Sequence, residues 1–164
     1  MTIEKELQLV KKFPEICAQY GMDETQSCMA YGFAHGDGWY DIMYNLLQYI
    51  QSYSESNPNM EQVVLIQVKE KFGGLRIYYN GGDDFIRDLI WETERIAVKV
   101  CEKCGGETDG IHRNSSYWYS NICNKCSTIG TQVSGTTNDV FIGILPPNME
   151  KSGEWNSGHI ERID

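Results

Sequence analysis

Cys101-Glu-Lys-Cys104 and Cys123-Asn-Lys-Cys126 are separated by eighteen residues, and that segment opens Gly105-Gly106. No other feature restricts the fold as tightly. Two residues between cysteines let both sulfurs turn toward one point from a tight knuckle, and a glycine after the second cysteine lets the backbone fold back beneath it. Two such knuckles supply a closed tetrahedral shell of four thiolates, the donor set of a structural Zn2+ site with Zn–S bonds of about 2.3 Å. Such a site keeps no open coordination position, so its binding energy is folding energy. An iron–sulfur cluster is the other main use of four thiolates. Cys17 and Cys28 lack a CxxC partner and are expected to be buried as small apolar groups. His112 is a spare ligand that four thiols leave unneeded.

The remaining sequence suffices for a core of its own. It has 164 residues, 41% hydrophobic, with no apolar run long enough to span a bilayer. The first residues, MTIEKELQLVKKF, mix charge signs and do not read as a secretory signal, which points to a cytosolic setting with reduced thiols. The formal net charge of −9 argues against duplex nucleic acid as partner, since tracking phosphates calls for a basic face. It suits a protein that meets proteins or small ligands.

Periodicity predicts an α+β fold of about three helices, a short antiparallel sheet and a four-cysteine zinc ribbon. Ile3, Leu7 and Val10 mark a helix over 2–13 with Thr2 as cap. Pro14 can open a short second helix, 14–20, closed by Gly21. Asp37 is placed to cap a helix over about 38–53, whose apolar stripe runs Trp39, Ile42, Met43, Leu46, Leu47 and Ile50. VVLIQV and LRIYY read as antiparallel strands, with KEKFGG as turn or bulge and Gly73 and Gly74 free to take positive φ. Asp83 and Asp84 start a last helix, with Ile86, Ile90, Thr93, Ala97 and Val100 in one stripe. The organisation expected is a core over 1–100, a ribbon over 101–128 carrying Tyr117, Trp118 and Tyr119 on a strand, and a polar tail over 129–164 in which VFIGIL can add one strand.

Two further segments hold candidate chemistry. VKEKFGGLRIYY gathers Lys69, Lys71 and Arg76 around Gly73 and Gly74 in an acidic chain. Glycine amides and cationic side chains together stabilise phosphate, and Tyr78, on the same strand face as Arg76, can stack on a base. The plainer reading is a bulge with solvated lysines that blunt a sheet edge. GFAHGDGWYD brings His35, Asp37 and Asp41 close in sequence, and a His–Asp pair can do acid–base chemistry. No nucleophile motif, HExxH or P-loop accompanies it.

GDGW opening a helix, then KEKFGGLR, then a helix running into CEKCGG, resembles a family of small, largely uncharacterised phage and prophage proteins over about residues 37–126. The motif positions are Asp37, Trp39, Lys69, Lys71, Phe72, Gly73, Gly74, Arg76 and the four cysteines, with Trp39 and Phe72 apolar enough to be core. The resemblance implies a virus-encoded protein acting in a bacterial host cytoplasm and brings no agreed activity. The leading expectation is a non-catalytic binder that counters host defence by sequestering a phosphorylated small molecule. In that reading Lys69, Lys71 and Arg76 hold phosphate and Tyr78 or Trp118 stacks a base. The alternatives are an acidic adaptor that grips a host protein, and a small enzyme acting on a nucleotide through His35 and Asp37. Homo-oligomerisation is open.

Overall fold

The computed structural model describes residues 1–113 and 119–127. Tyr117, Trp118 and the tail over 129–164 with VFIGIL, which entered the expectations above, lie outside the described residues. The described residues form an α+β fold, as expected, with three α-helices and a three-stranded sheet. They are α1 (Ile3–Lys12), α2 (Tyr40–Ser56) and α3 (Asp84–Ala97), and β1 (Phe33–Ala34), β2 (Val64–Lys71) and β3 (Gly74–Asn80). A two-stranded ribbon, β4 (His112–Arg113) and β5 (Tyr119–Ser120), follows α3.

The sheet is mixed. β2 and β3 form the expected antiparallel hairpin, and β1 adds to β2 in parallel, Phe33 opposite Val68 and Ala34 opposite Lys69. β1 is two residues long, too short to show a period of two, and so was invisible to pattern reading. A bulge at Ile66, away from the turn, lets Leu65 and Val68 both face inward with Leu75 and Ile77.

α2 and α3 bury the stripes their spacing predicts: Ile42, Met43, Leu46, Leu47 and Ile50 on the first, Ile86, Ile90, Thr93, Ile96 and Ala97 on the second. Asp83 caps α3, accepting from Ile86 N at 3.1 Å. Asp37 does not cap α2. It lies in a 3-10 turn, Asp37–Trp39, and its carboxylate turns back to α1, accepting from Thr2 N at 2.6 Å and Thr2 Oγ1 at 3.1 Å, with Lys5 Nζ 3.6 Å away. Thr2 therefore donates to Asp37 instead of capping α1 with its own side chain.

The inward face of α1 is not the predicted one. Ile3 and Leu7 are each more than half exposed, while Glu6 and Leu9 are buried, continued by Phe13 and Ile16. The Glu6 carboxylate decides this, accepting from Phe33 N at 3.0 Å and Tyr20 OH at 2.7 Å. A buried carboxylate must keep such donors, so the helix is rotated to satisfy it. Residues 14–20 form successive turns and no helix, though Gly21 does take a positive φ of 72°.

Candidate metal centre

α3 ends at Ala97, and one further turn carries the chain to Val100, which bridges Glu107 and closes the first knuckle. Within it Gly105 N donates to Cys101 O at 2.8 Å and Cys101 N to Gly106 O at 2.7 Å, with Gly105 at φ 76°. The second knuckle repeats the turn: Cys126 N and Ser127 N both donate to Cys123 O at 2.9 Å. Across the two, Cys123 N points at Cys101 Sγ, 3.3 Å away.

The four sulfurs all lie within 4.8 Å of one another, and Cys104 Sγ and Cys123 Sγ are 3.6 Å apart. That is far beyond a disulfide bond of about 2.05 Å. It is close to the edge of a tetrahedron with arms of about 2.3 Å, roughly 3.8 Å. All six cysteines are free thiols. The cluster can hold a metal ion, and among the described residues no histidine or carboxylate joins it.

Four thiols in one shell resist ionising together. Burial raises Cys104 and raises Cys126 to about 12. At Cys123 burial is outweighed by the Cys126 amide and the neighbouring thiols, which bring it down to about 7. A bound cation removes this conflict by neutralising the thiolates.

The GDGW segment turns out to be the seat of the first knuckle. Gly38 N donates to Glu102 O at 2.7 Å, Gly36 N donates to Glu102 Oε1 at 2.9 Å, and Trp39 Nε1 donates to Val100 O at 2.8 Å. A Cβ on Gly36 would collide with Glu102 O, and one on Gly38 with Cys101 O and Gly105 N. Both positions need glycine because backbone packs directly on backbone. Trp39 is fully buried, as expected of a core residue.

Asn121 completes the joint. It is fully buried; its Nδ2 donates to Ala97 O at 2.7 Å and Val100 O at 3.0 Å, and its Oδ1 accepts from Thr108 Oγ1 at 2.6 Å. Its own carbonyl accepts from Glu102 N at 2.9 Å. One side chain thus joins the end of α3, the first knuckle and the approach to the second. Nothing in the sequence marked it, since a lone Asn before a CxxC reads as loop.

The other candidate residues are placed as follows. Lys69 and Arg76 are cross-strand partners, and Lys71, Arg76 and Tyr78 share their outward face. Lys69 Nζ lies 5.3 Å from the Tyr78 ring centre, and Arg76 Nη1 lies 4.0 Å from Glu94 Oε2 on α3. The glycines do not form an open amide cradle. Gly73 and Gly74 are buried, Gly73 N already donates to the Glu70 carboxylate, and Gly73 packs beneath Ile111. The residues with positive φ are Phe72 at 53° and Gly73 at 80°, so Gly74 is ordinary strand and Phe72 and Gly73 form the two-residue turn. Phe72 is 67% exposed, not core.

His35 is 5% exposed, held between Phe33 and Trp39, with Nδ1 2.8 Å from Gly36 O and Nε2 without a partner among the described residues. Burial lowers it to about 4. The Asp37 carboxylate is engaged by α1, and Asp41 is exposed in the first turn of α2. Cys17 is buried as expected, its thiol raised to about 12 by burial; Cys28 is exposed. Among the described residues no helix is long and apolar enough to cross a membrane.

No protein-family model matches the chain, and no curated protein or solved structure matches it either.

Proposed function

We propose that this is a non-catalytic binding protein in which one structural Zn2+, held by Cys101, Cys104, Cys123 and Cys126, fastens a ribbon to an α+β core. The ribbon, with the hairpin beside it, is then the surface offered to a protein partner. The observation that carries this reading is the convergence of four sulfurs within 4.8 Å on a knuckle clamped by Gly36, Gly38 and Trp39. Four thiolates around one ion leave no place for substrate, which favours a structural over a catalytic metal. Their spacing around one point suits a single tetrahedral ion better than a multi-iron cluster. The resemblance to small phage proteins supports a bacterial host cytoplasm as the setting, where thiols stay reduced.

The adaptor form of this reading gains over nucleotide sequestration because the Gly73 amide is already taken by Glu70 and Arg76 lies beside Glu94. One observation still favours a phosphorylated ligand: Lys69 sits over Tyr78, a cation beside an exposed ring on the face shared with Arg76.

Native and then denaturing mass spectrometry of protein purified without chelator tests both. One zinc per chain with nothing else released is the expected result. Absence of metal, or iron in its place, overturns the zinc assignment. Release of a phosphorylated small molecule moves the function to sequestration. Capture of a host protein that survives added nucleotide and weakens steeply with salt supports the adaptor.

A further inference from the structure

We infer that the β2–β3 hairpin tip and the adjoining strand β5 form a docking surface for an acidic protein segment carrying an apolar side chain. The inference deepens the binding-protein reading above and rests on it.

The tip is built against its own local preference. The two-residue turn at 72–73 requires positive φ at both positions, which Asn-Gly or Gly-Gly supply without strain. Here the first position is Phe72, at φ 53° and 67% exposed. A bulky residue in the left-handed region is a strained outlier, and an exposed ring gains little burial to offset it. Phe72 nevertheless has company. It meets Tyr119 of β5 edge-to-face, with centroids 6.3 Å apart and planes at 89°, and Ile111, 37% exposed, packs over Gly73 beneath it. Apolar and aromatic side chains from two remote segments thus converge on one exposed spot, the kind of anchor that dominates protein interfaces.

The charge around this spot opposes that of the whole chain. Lys71 Nζ lies 5.7 Å from the Phe72 ring centre and Lys69 is two residues behind it, in a protein of net charge −9. The hairpin carries one carboxylate, Glu70, and that group is turned to Gly73 N. Among the described residues no ion pair engages Lys69 or Lys71. Two ammonium groups on β2, both preceding the aromatic anchor and without an ion pair among the described residues, complement a segment with carboxylates to one side of an apolar residue.

Single-stranded nucleic acid is the competing polyanion, and two observations favour the peptide. Phe72 and Tyr119 stand perpendicular, so they do not make a parallel platform for successive bases. Screening confines the two lysines to about 8 Å at physiological salt. A short acidic segment fits within that reach, whereas a longer polyphosphate strand extends onto a surface of net negative charge.

The test is to pan a random peptide library against the zinc-loaded full chain, with oligothymidylate and ATP as separate binding probes. The enriched peptides are expected to be acidic and to carry Leu, Ile, Phe or Trp. Their affinity should fall about tenfold or more in the Lys69→Glu/Lys71→Glu double variant, and likewise in Phe72→Gly. Phe72→Gly relieves the backbone, so it should melt no lower than the parent, which separates loss of binding from loss of fold. Three outcomes overturn the inference: no enrichment, peptides indifferent to both variants, or oligothymidylate or ATP binding more tightly than any selected peptide. A zinc-loaded chain that selects nothing sinks the docking surface alone, whereas a chain that purifies without metal sinks the zinc-fastened reading first.

Discussion

The amide of Gly38 donates to the carbonyl of Glu102 at 2.7 Å, so the loop before α2 and the first cysteine knuckle meet backbone to backbone. A methyl group at Gly38 would have to push aside Cys101 O and Gly105 N, neither of which is a flexible side-chain end. Gly38→Ala should therefore displace the knuckle, destabilise the protein by about 1–3 kcal/mol and weaken metal retention. Thermal melting and a zinc competition titration with a chromophoric chelator read both effects. A variant with the parent's melting temperature and metal affinity would show that the contact can relax.

Removing the metal should cost more than any single contact. Four sulfurs, those of Cys101 and Cys123 on buried residues, then face one another without a cation, and their ribbon is too small to hold itself together. Chelation, or Cys104→Ser, should lower stability by at least about 3 kcal/mol. Cys28→Ser, at an exposed thiol outside the cluster, should leave melting and zinc content unchanged. Equal losses from Cys28→Ser and Cys104→Ser would count against a four-sulfur site.

Asn121→Ala removes three hydrogen bonds, two of them to the carbonyls of Ala97 and Val100. Val100 O keeps the Trp39 indole and Ala97 O keeps the Val100 amide at 3.1 Å, but both lose the Asn121 donor that ties them together. The expected loss is about 2–4 kcal/mol, larger than for an exposed asparagine. Hydrogen exchange should show it first at the end of α3 and at Glu102 N. Uniform exchange across the protein would argue against a local joint.

His35 should make the fold acid-sensitive. Its folded-state pKa is lowered from 6.5 to about 4, chiefly by burial, with the Met1 ammonium adding to the lowering and the Gly36 carbonyl and Asp37 opposing it. The unfolded chain therefore binds the proton first. Stability from this group is full above pH 6.5, falls as pH drops from 6.5 to 4, and levels off below that, for a total on the order of 3 kcal/mol. Urea melts of the parent and His35→Gln across this window isolate the term, because metal loss at low pH is common to both. Parallel pH profiles would remove His35 from the account.

Phe72→Gly tests strain independently of binding. With glycine at φ 53° the left-handed penalty disappears, and stability should rise by about 1 kcal/mol. A fall in the melting temperature would mean that the Phe72–Tyr119 contact outweighs the backbone cost.

Much of the scaffold was legible because periodicity reports burial directly. The stripes of α2 and α3, the Asp83 cap and the β2–β3 pairing all follow from spacing and turn residues. The stripe on α1 misled because Ile3, Leu7 and Val10 have helical spacing whichever side is covered, and a buried Glu6 chose the other side. Asp37 reads as a cap because Asp before an apolar stripe usually is one, yet it bonds to Thr2, thirty-five positions away in sequence.

The sequence by itself determined that four cysteines would form one cluster, because CxxC spacing brings two sulfurs together within a single turn and leaves only the pairing of two knuckles to be made. It equally determined the helices and the hairpin, whose signals are local. Only the tertiary structure decided what GDGW and KFGG are for. Gly36, Gly38 and Gly73 pack against Glu102, Cys101 and Ile111, partners 38 to 66 residues distant. A glycine carries no side chain to announce such a contact. Its meaning lies in the atoms that fill the space beside it, and those come from elsewhere in the chain.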